Sequence, residues 1–218
     1  LVRDRVLCAI PVLASRRHLL EPLERAGYDV VFNETGRSYS AAELMRVLPG
    51  VVATVASVEP YDAASLAAAD RLRIIARLGV GHDQIDTGAR TAKRVAVPMA
   101  FGTNHEAVAH HTLALLAAIA SRSHDYDRQV REGSWGTLYH GTLHGMTLGL
   151  VGFGRIGRAV AKRAQGFAMR LLVHDPGLDP AAIVHLGGEP VDLDELLSSA
   201  DAVSLHAPLN AQTRHLID

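Results

Sequence analysis

The sequence predicts an α/β protein built from two doubly wound, parallel-sheet domains. Short β-rich runs alternate with helical patterns along the first half of the chain, which is typical of parallel sheets with helical connections. Proline and glycine interrupt this pattern at residues 98–102, and a second alternating region follows. We therefore divide the 218 residues into predicted domains at 1–98 and 99–218, each long enough for its own core.

The first predicted domain has the more regular alternation. Its strands are predicted at residues 5–10, 28–32, 51–55, 72–76 and 95–97, and its helices at residues 15–26, 41–48, 61–69 and 83–94. Ser40 and Glu43 have the spacing of a capping box, which marks the start of the second helix.

The second predicted domain opens with a hinge and a long helix that starts at Thr103. Thr103 and Glu106 form a second predicted capping box, so a structural role for Glu106 is favoured over a catalytic one. Residues 107–120 are apolar almost all round, which predicts burial on several sides by a domain or subunit interface. Residues 124–144 show little periodicity and are predicted to form a loop or arm.

The rest of this domain surrounds a glycine-rich turn. Strands are predicted at residues 148–151, 171–174 and 202–206, and helices at residues 154–167, 180–186 and 193–199, the last with Asp192 as its N-cap. A dinucleotide-binding sheet of the six-strand type would need two more strands beyond Asp218.

Gly152, Gly154 and Gly157 follow the strand at 148–151 and are expected to have separate roles. The first permits a tight turn, the second lets the backbone approach a pyrophosphate, and the third lets helix and strand pack closely. Free amides at the helix start, around Arg155 and Ile156, would face the anion. Asp175 ends the next strand 18 positions after Gly157, close to the roughly 20 expected for a carboxylate that binds an adenosine ribose.

The residues of this region allow two other interpretations. Asp175 could be a simple turn residue before Pro176, although the complete motif favours the ribose contact. A kinase glycine loop needs a hairpin and a valine two positions after its last glycine, whereas this chain has Ala159 and a helix. Because a carboxylate repels a 2′-phosphate, Asp175 favours NAD over NADP.

The turn after the strand at 72–76 is a second candidate site. Gly79 and Gly81 bracket Val80, so consecutive amides can point toward one place and form a nest for a carboxylate. A plain glycine turn capped by Asp83 is the alternative, and the local sequence leaves both open.

Composition and residue spacing argue against several other classes of protein. The net charge of −1 and the pI near 6.9 predict neither a nucleic-acid partner nor an anionic membrane, and no apolar run is long enough to cross a bilayer. The single cysteine, Cys8, is predicted to be a buried free thiol, which fits a reducing cytoplasm. His105, His110 and His111 lack the i, i+4 spacing of a zinc helix, so no metal site is predicted.

Taken together, these motifs resemble the D-isomer-specific 2-hydroxyacid dehydrogenases, the family that includes phosphoglycerate dehydrogenase. The resemblance covers almost the whole chain and rests on residues 79–86, 102–109 and 133–135, on the glycine turn with Arg155 and Ile156, and on residues 206–208 with Thr213. Gln84, His110 and Met146 depart from the residues usual in the family, which leaves the subfamily open.

The resemblance implies a flavodoxin-like substrate domain, then a Rossmann NAD-binding domain that is incomplete at its C-terminus, with an active-site cleft between them. It implies that the amides of Val80 and Gly81 hold the substrate carboxylate, with Val80 also near the nicotinamide. It further assigns the pyrophosphate to Arg155 and Ile156, the adenine ribose to Asp175, and the adenosine side to His206, Ala207, Pro208 and Thr213.

The activity implied is NAD-dependent oxidation of a small D-2-hydroxy acid, or reduction of the 2-oxo acid, by a cytoplasmic enzyme. A homodimer formed through the helix from Thr103 and the following arm is implied as well. The family's catalytic arginine, glutamate and histidine come later than Asp218, so the resemblance places no catalytic residue within the chain and implies that the 218 residues alone are inactive. An NAD-sensing, corepressor-like interaction protein on the same fold is the alternative, and the sequence does not name the acid.

Overall fold

The computed structural model describes residues 3–217, so Leu1, Val2 and Asp218, which end the two predicted domains, lie outside the described residues. The chain forms two compact units that divide between Phe101 and Gly102. Each unit contains a four-stranded sheet, and every strand pair in both sheets is parallel. The predicted fold class is confirmed.

The first unit has the sheet order β2-β1-β3-β4, the flavodoxin-like order. Its strands are β1 (Arg5–Cys8), β2 (Asp29–Phe32), β3 (Val51–Ala56) and β4 (Ile74–Arg77), and its helices are α1 (Glu21–Arg25), α2 (Ala41–Val47), α3 (Ala63–Ala68) and α4 (Thr87–Ala92). Successive strand residues point to opposite faces, so Leu7 joins one buried cluster while Cys8 joins another. Both faces of this sheet are therefore covered.

Several predicted boundaries in this unit were wrong. The helix predicted at 15–26 is replaced by two 3-10 segments, Pro11–Ser15 and Arg17–Leu20, before the short α1. The helix predicted from Asp83 starts at Thr87, because Asp86 accepts a hydrogen bond from the Ala89 amide at 2.8 Å and caps it. The strand predicted at 95–97 is reduced to isolated bridges. The capping box of Ser40 and Glu43 is confirmed.

The second unit has the sheet order β7-β6-β5-β8, which matches the order 3-2-1-4 of a Rossmann sheet. Its strands are β5 (Thr147–Val151), β6 (Arg170–His174), β7 (Glu189–Pro190) and β8 (Ala202–Leu205), and its helices are α5 (His105–Ala120), α6 (Ser123–Arg131), α7 (Arg155–Ala164), α8 (Pro180–His185) and α9 (Leu193–Ser199). Leu150 and Val173 pack on one face with α5, α7 and α8, and Val151 and Leu172 pack on the other with Leu196 of α9.

Two expectations for the second unit were wrong. The start of the predicted loop at 124–144 is the helix α6, which charged pairs rather than an apolar stripe stabilise: Asp125 accepts from Arg122 at 2.8 Å and from Arg128 at 2.6 Å. The helix α5 begins two residues later than predicted, after Asn104, whose side chain makes no capping hydrogen bond.

The apolar helix α5 is covered on one side only within its unit. Ala109 and Leu113 are buried, while Leu115 is 51% exposed and Ile119 is 67% exposed. No helix within the described residues combines the length and the apolar character needed to cross a bilayer.

Candidate functional site

The glycine turn of the second unit lies at the carboxyl end of β5, where this sheet changes direction. β5 pairs with β6 on one side and with β8 on the other. The chain therefore adds strands in one direction from β5 to β7 and then returns to the opposite side of β5 to form β8. Ligands in open α/β sheets bind outside the carboxyl ends of the strands at such a switch point. This edge of the sheet is therefore the expected ligand site.

Gly152 and Gly157 are positions where a side chain would collide with backbone. Gly152 has a φ of +91°, and a Cβ there would lie 2.8 Å from the Ala207 nitrogen and from the carbonyl group of His206. A Cβ at Gly157 would lie 2.3 Å from the Gly152 carbonyl oxygen. The turn can therefore lie against the segment after β8 and against the start of α7 only because both residues are glycine.

Gly154 differs from its two neighbours because it faces open space. It is the N-cap of α7, with φ −69° and ψ −160°, and a Cβ built on it would meet no atom within 4 Å. A ligand can therefore approach the backbone here without displacing any protein atom.

The start of α7 presents backbone amides that the protein does not use. The first helical hydrogen bond runs from the Arg158 amide to the Gly154 oxygen at 3.0 Å. Within residues 3–217, no protein acceptor receives the amides of Gly154, Arg155 or Ile156. The positive end of the helix dipole lies at the same place, so this turn is suited to bind an anion such as a diphosphate.

Asp175 follows β6 directly and is in contact with the glycine turn. Its Oδ2 accepts a hydrogen bond from the Phe153 amide at 2.7 Å, and its Oδ1 accepts one from the Gly177 amide at 3.1 Å. The second bond is the turn contact that the alternative interpretation expected. An ionised carboxylate has about four acceptor positions, so both contacts leave capacity for a ligand hydroxyl.

The segment after β8 lies next to the turn through its backbone. The His206 amide donates to the Val151 oxygen at 2.7 Å, and His206 Nε2 lies 2.9 Å from the Ser204 hydroxyl. Burial lowers the pKa of His206. A cavity of about 330 Å³ opens here, and its lining is formed by Val151, Leu205, Ala207, Pro208, Leu209, Thr213, His215, Leu216 and Ile217. The Thr213 hydroxyl accepts from the Asn210 amide at 2.9 Å and shapes the turn below this cavity.

Arg158 in α7 makes contacts that the sequence analysis did not predict. Its Nε donates to the Phe153 oxygen at 2.9 Å, and its guanidinium lies 6.0 Å from the centre of the Phe153 ring. Arg155 and Arg158 also line an open groove of about 680 Å³ with Lys162. The sequence contains one signal for this contact: Arg158 lies one turn into the helix and five residues after the aromatic Phe153 of the turn.

The second candidate site lies in the first unit, directly after β4. Gly79 has a φ of +137°, and its oxygen accepts from the Ala100 amide at 3.1 Å. Within the described part of the chain, no acceptor receives the amides of Val80 and Gly81. The Arg77 guanidinium, which the sequence analysis also missed, lies beside Gly79: a Cβ there would be 2.9 Å from Arg77 Nη1. Unpaired amides next to a cation suit a carboxylate.

The first histidine of α5, His105, lines the same groove as Arg155 and Arg158. His105 Nε2 lies 3.4 Å from a Glu106 oxygen, and the other Glu106 oxygen pairs with Arg163, which lowers the pKa of Glu106. Among residues 3–217, no three His, Cys, Asp or Glu side chains are grouped as metal ligands would be.

Comparison with known proteins matches the second unit to one family model. The model is described as D-isomer specific 2-hydroxyacid dehydrogenase, NAD binding domain, and it matches residues 113–218. A glyoxylate reductase from Korarchaeum cryptofilum is 43% identical over 165 residues, which are 73% of this chain and 50% of the relative. The chain thus spans half the length of that relative.

Two further matches extend over both units. A hydroxypyruvate reductase from Thermotoga maritima is 36% identical over 211 residues, covering 93% of this chain and 68% of the relative. Among solved structures, the TT0316 protein from Thermus thermophilus is 37% identical with a TM-score of 0.83, and the match covers 97% of this chain and 67% of that one.

Proposed function

Because the chain belongs to the D-isomer-specific 2-hydroxyacid dehydrogenase family, we propose that the protein is an NAD-dependent oxidoreductase. It oxidises the CH–OH group of a small D-2-hydroxy acid or reduces the corresponding 2-oxo acid. The observation that carries this proposal is the turn at Gly152–Gly157, with unpaired amides at the start of α7 and a carboxylate bonded to the same turn.

The residues around the turn fit the cofactor. The amides of Gly154, Arg155 and Ile156 hold the diphosphate, and the open space at Gly154 lets it approach. The unused acceptor positions of Asp175 take the hydroxyl groups of the adenine ribose, while its negative charge opposes a 2′-phosphate. His206, Ala207, Pro208 and Thr213 border the adenosine through the cavity after β8.

The proposed substrate class rests on the first unit. We assign the substrate domain to residues 1–98, three residues short of the end of that unit, and the NAD-binding domain to residues 99–218. The amides of Val80 and Gly81, with the positive charge of Arg77, hold the acid's carboxylate. The relatives named glyoxylate reductase and hydroxypyruvate reductase support a small 2-oxo acid as the substrate.

The division of labour in the reaction follows from these positions. When NAD is bound, its nicotinamide supplies the carbon atom that would accept the hydride from the hydroxy acid, and NADH would supply the hydride in the reverse reaction. The protein amides fix the orientation of the diphosphate and of the acid, and this orientation is what brings two reactants into a productive geometry. Asp175 selects the form of the cofactor that is used.

We also propose that two chains associate as a homodimer in the cytoplasm. The exposed face of α5 carries Leu115 and Ile119, and the segment after α6 carries Trp135 and Tyr139, which are 92% and 96% exposed. Exposed large apolar side chains of this number are typical of a surface that another chain covers.

The proposal is tested with the purified full-length protein. Titration with NAD and NADP by calorimetry gives the two dissociation constants, and we expect NAD to bind at least tenfold more tightly. NADH oxidation is then followed with glyoxylate, hydroxypyruvate and related 2-oxo acids. The chirality of the product is determined for the acids, such as hydroxypyruvate, whose reduction creates a stereocentre. Absence of NAD binding, or an L-hydroxy acid as the product, would contradict the proposal.

A further inference from the structure

Among the described residues of the first unit, three buried side-chain polar atoms have no hydrogen-bond partner in the protein. They are Thr54 Oγ1, Glu59 Oε1 and Tyr61 OH, and the residues that carry them are 0%, 1% and 0% exposed. More than 90% of buried polar groups in proteins are hydrogen-bonded, because burial without a partner is costly. Three such atoms from one strand and the loop after it therefore call for a common explanation.

The three side chains come from one short stretch of the chain, and all three are buried. Thr54 lies in β3, and Glu59 and Tyr61 lie in the loop between β3 and α3. Burial raises the pKa of the Tyr61 phenol, the nearby Thr54 hydroxyl opposes that rise, and the Glu59 carboxylate adds to it. The effect of Thr54 on the Tyr61 pKa is that of a hydrogen-bonding neighbour, yet neither hydroxyl has a partner that meets hydrogen-bond geometry.

The surrounding protein leaves one oxygen of Glu59 unpaired. Its Oε2 accepts from the Ser57 amide at 2.6 Å, whereas Oε1 has no partner. Within residues 3–217, no lysine, arginine or histidine nitrogen lies within ion-pair distance of Glu59. A carboxylate oxygen can only accept, while each hydroxyl can donate or accept. A single molecule with two donors and one acceptor would satisfy all three atoms.

We propose that one internal water molecule bridges Glu59 Oε1, Thr54 Oγ1 and Tyr61 OH, and that Glu59 acts through it as a positioning residue for the substrate turn. Buried waters make about three hydrogen bonds to groups that the protein leaves unpaired, which matches this set. The water donates to Glu59 and Thr54 and accepts from Tyr61.

The bridge reaches the substrate turn through the backbone of Tyr61. The Tyr61 amide donates to the Gln84 oxygen at 2.8 Å, and the Asp86 amide donates to the Tyr61 oxygen at 2.9 Å. The Leu78 amide donates to the Ala56 oxygen at 2.8 Å, so the loop after β3 holds the segment that contains Val80 and Gly81 at both ends. This part of the inference rests on the proposed function.

The bridge itself is tested by thermal unfolding of the full-length protein carrying Tyr61→Phe or Thr54→Val, which remove one hydroxyl each and keep the shape. If the water is present, each change leaves the other partners unsatisfied and lowers the Tm, and the double variant loses less than the sum of the single losses. Thr54→Ser keeps the hydroxyl and is the matched control. A Tm that rises or stays unchanged in Tyr61→Phe would overturn the bridge, because removing an idle buried hydroxyl relieves a desolvation cost.

A high-resolution crystal structure separates the bridge from direct pairing. Density for a water within hydrogen-bond distance of all three oxygen atoms supports the proposal. Direct contact between the Tyr61 and Thr54 hydroxyls, with no water beside Glu59, overturns it. Neither result depends on catalysis, so failure here is distinct from failure of the proposed function.

The positioning role is tested by the kinetics of Glu59→Gln. We expect the KM for the 2-oxo acid to rise about fivefold, the change that corresponds to about 1 kcal/mol, while the Kd for NADH is unchanged. Leu44→Ala, a buried change in α2, is the control for a general loss of stability. Equal effects of Glu59→Gln and Leu44→Ala on KM would refute the positioning role, and so would a Glu59→Gln enzyme with unchanged KM.

Discussion

Replacing Asp175 by alanine tests the site most directly, because one carboxylate has an observed structural role and a proposed ligand-binding role. In the structure it accepts hydrogen bonds from the Phe153 and Gly177 amides at 2.7 and 3.1 Å. In the proposed function its remaining acceptor positions receive the ribose hydroxyls of NAD. Asp175→Ala therefore removes support from the diphosphate turn and a contact with the cofactor at the same time.

The expected magnitude follows from the kind of bond that is lost. A hydrogen bond to a charged group contributes about 1.5–3 kcal/mol, so losing the ribose contact weakens NAD binding by about 10- to 150-fold. The same variant loses the acceptor of the Phe153 amide, which lowers the free energy of unfolding by about 1–3 kcal/mol. NADP binding changes less, because the lost contact is offset by removal of a charge that repels the 2′-phosphate.

The assay is calorimetric titration of both cofactors into wild type and variant, with unfolding in urea measured on the same samples. Asp179→Ala is the matched control: it removes a nearby carboxylate that caps α8 by accepting from the Ala181 amide at 3.0 Å. We expect it to lower stability without changing the preference for NAD. A tenfold change in affinity corresponds to about 1.4 kcal/mol. If the ratio of NAD to NADP affinity in Asp175→Ala stays within about threefold of the wild-type ratio, the change in free energy is only a fraction of that value, and the ribose assignment is wrong.

Three further predictions test other parts of the fold and the site. Gly157→Ala should destabilise the protein by about 2–4 kcal/mol in urea unfolding, because its Cβ would overlap a backbone oxygen of the turn, whereas Gly166→Ala, with nothing within 4 Å, should change it by no more than about 0.5 kcal/mol. Gly154→Ala should leave stability nearly unchanged yet weaken NAD binding at least tenfold by calorimetry; equal NAD affinity would place the diphosphate elsewhere. The pKa of Glu43 is held well below its ordinary value, first by the hydrogen bond from Arg37, so its contribution is present above the unfolded pKa of about 4.3 and is lost as pH falls. The Tm difference between wild type and Glu43→Gln should therefore be largest near neutral pH and shrink in acid, and a difference that grows in acid would contradict the argument.

The fold class could be predicted because parallel strands covered on both faces appear in sequence as short apolar runs between helical patterns. β5 and β6 were predicted to within one residue at each end for this reason. The apolar pattern does not indicate an element that is stabilised by charged pairs instead of by burial. The helix α6 was missed because Asp125 and its arginine partners stabilise it, with no apolar stripe to indicate it.

The candidate site could be predicted as a set of residues but not as a geometry. The spacing of the glycines indicates which backbone must turn tightly, yet only the coordinates show that Gly157 approaches the Gly152 oxygen. The contacts of Arg77 and Arg158 were missed, because a cation near a turn is more often solvated and sequence distance does not specify which carbonyl it meets. The buried Glu59 had no signal at all, since an acidic residue in a loop is normally exposed.

The structural role and the proposed ribose-binding role of Asp175 together limit how the cofactor preference of this site can change. The carboxylate proposed to favour NAD also accepts the Phe153 amide, which precedes the amides proposed to receive the diphosphate. A substitution that admits a 2′-phosphate by removing the charge also removes the acceptor that orients this part of the turn. Relaxed specificity and a less ordered diphosphate site are therefore coupled, because both depend on the same oxygen atoms. A variant that uses NADP well needs a neutral acceptor at position 175, so that Phe153 stays in place when the charge is gone.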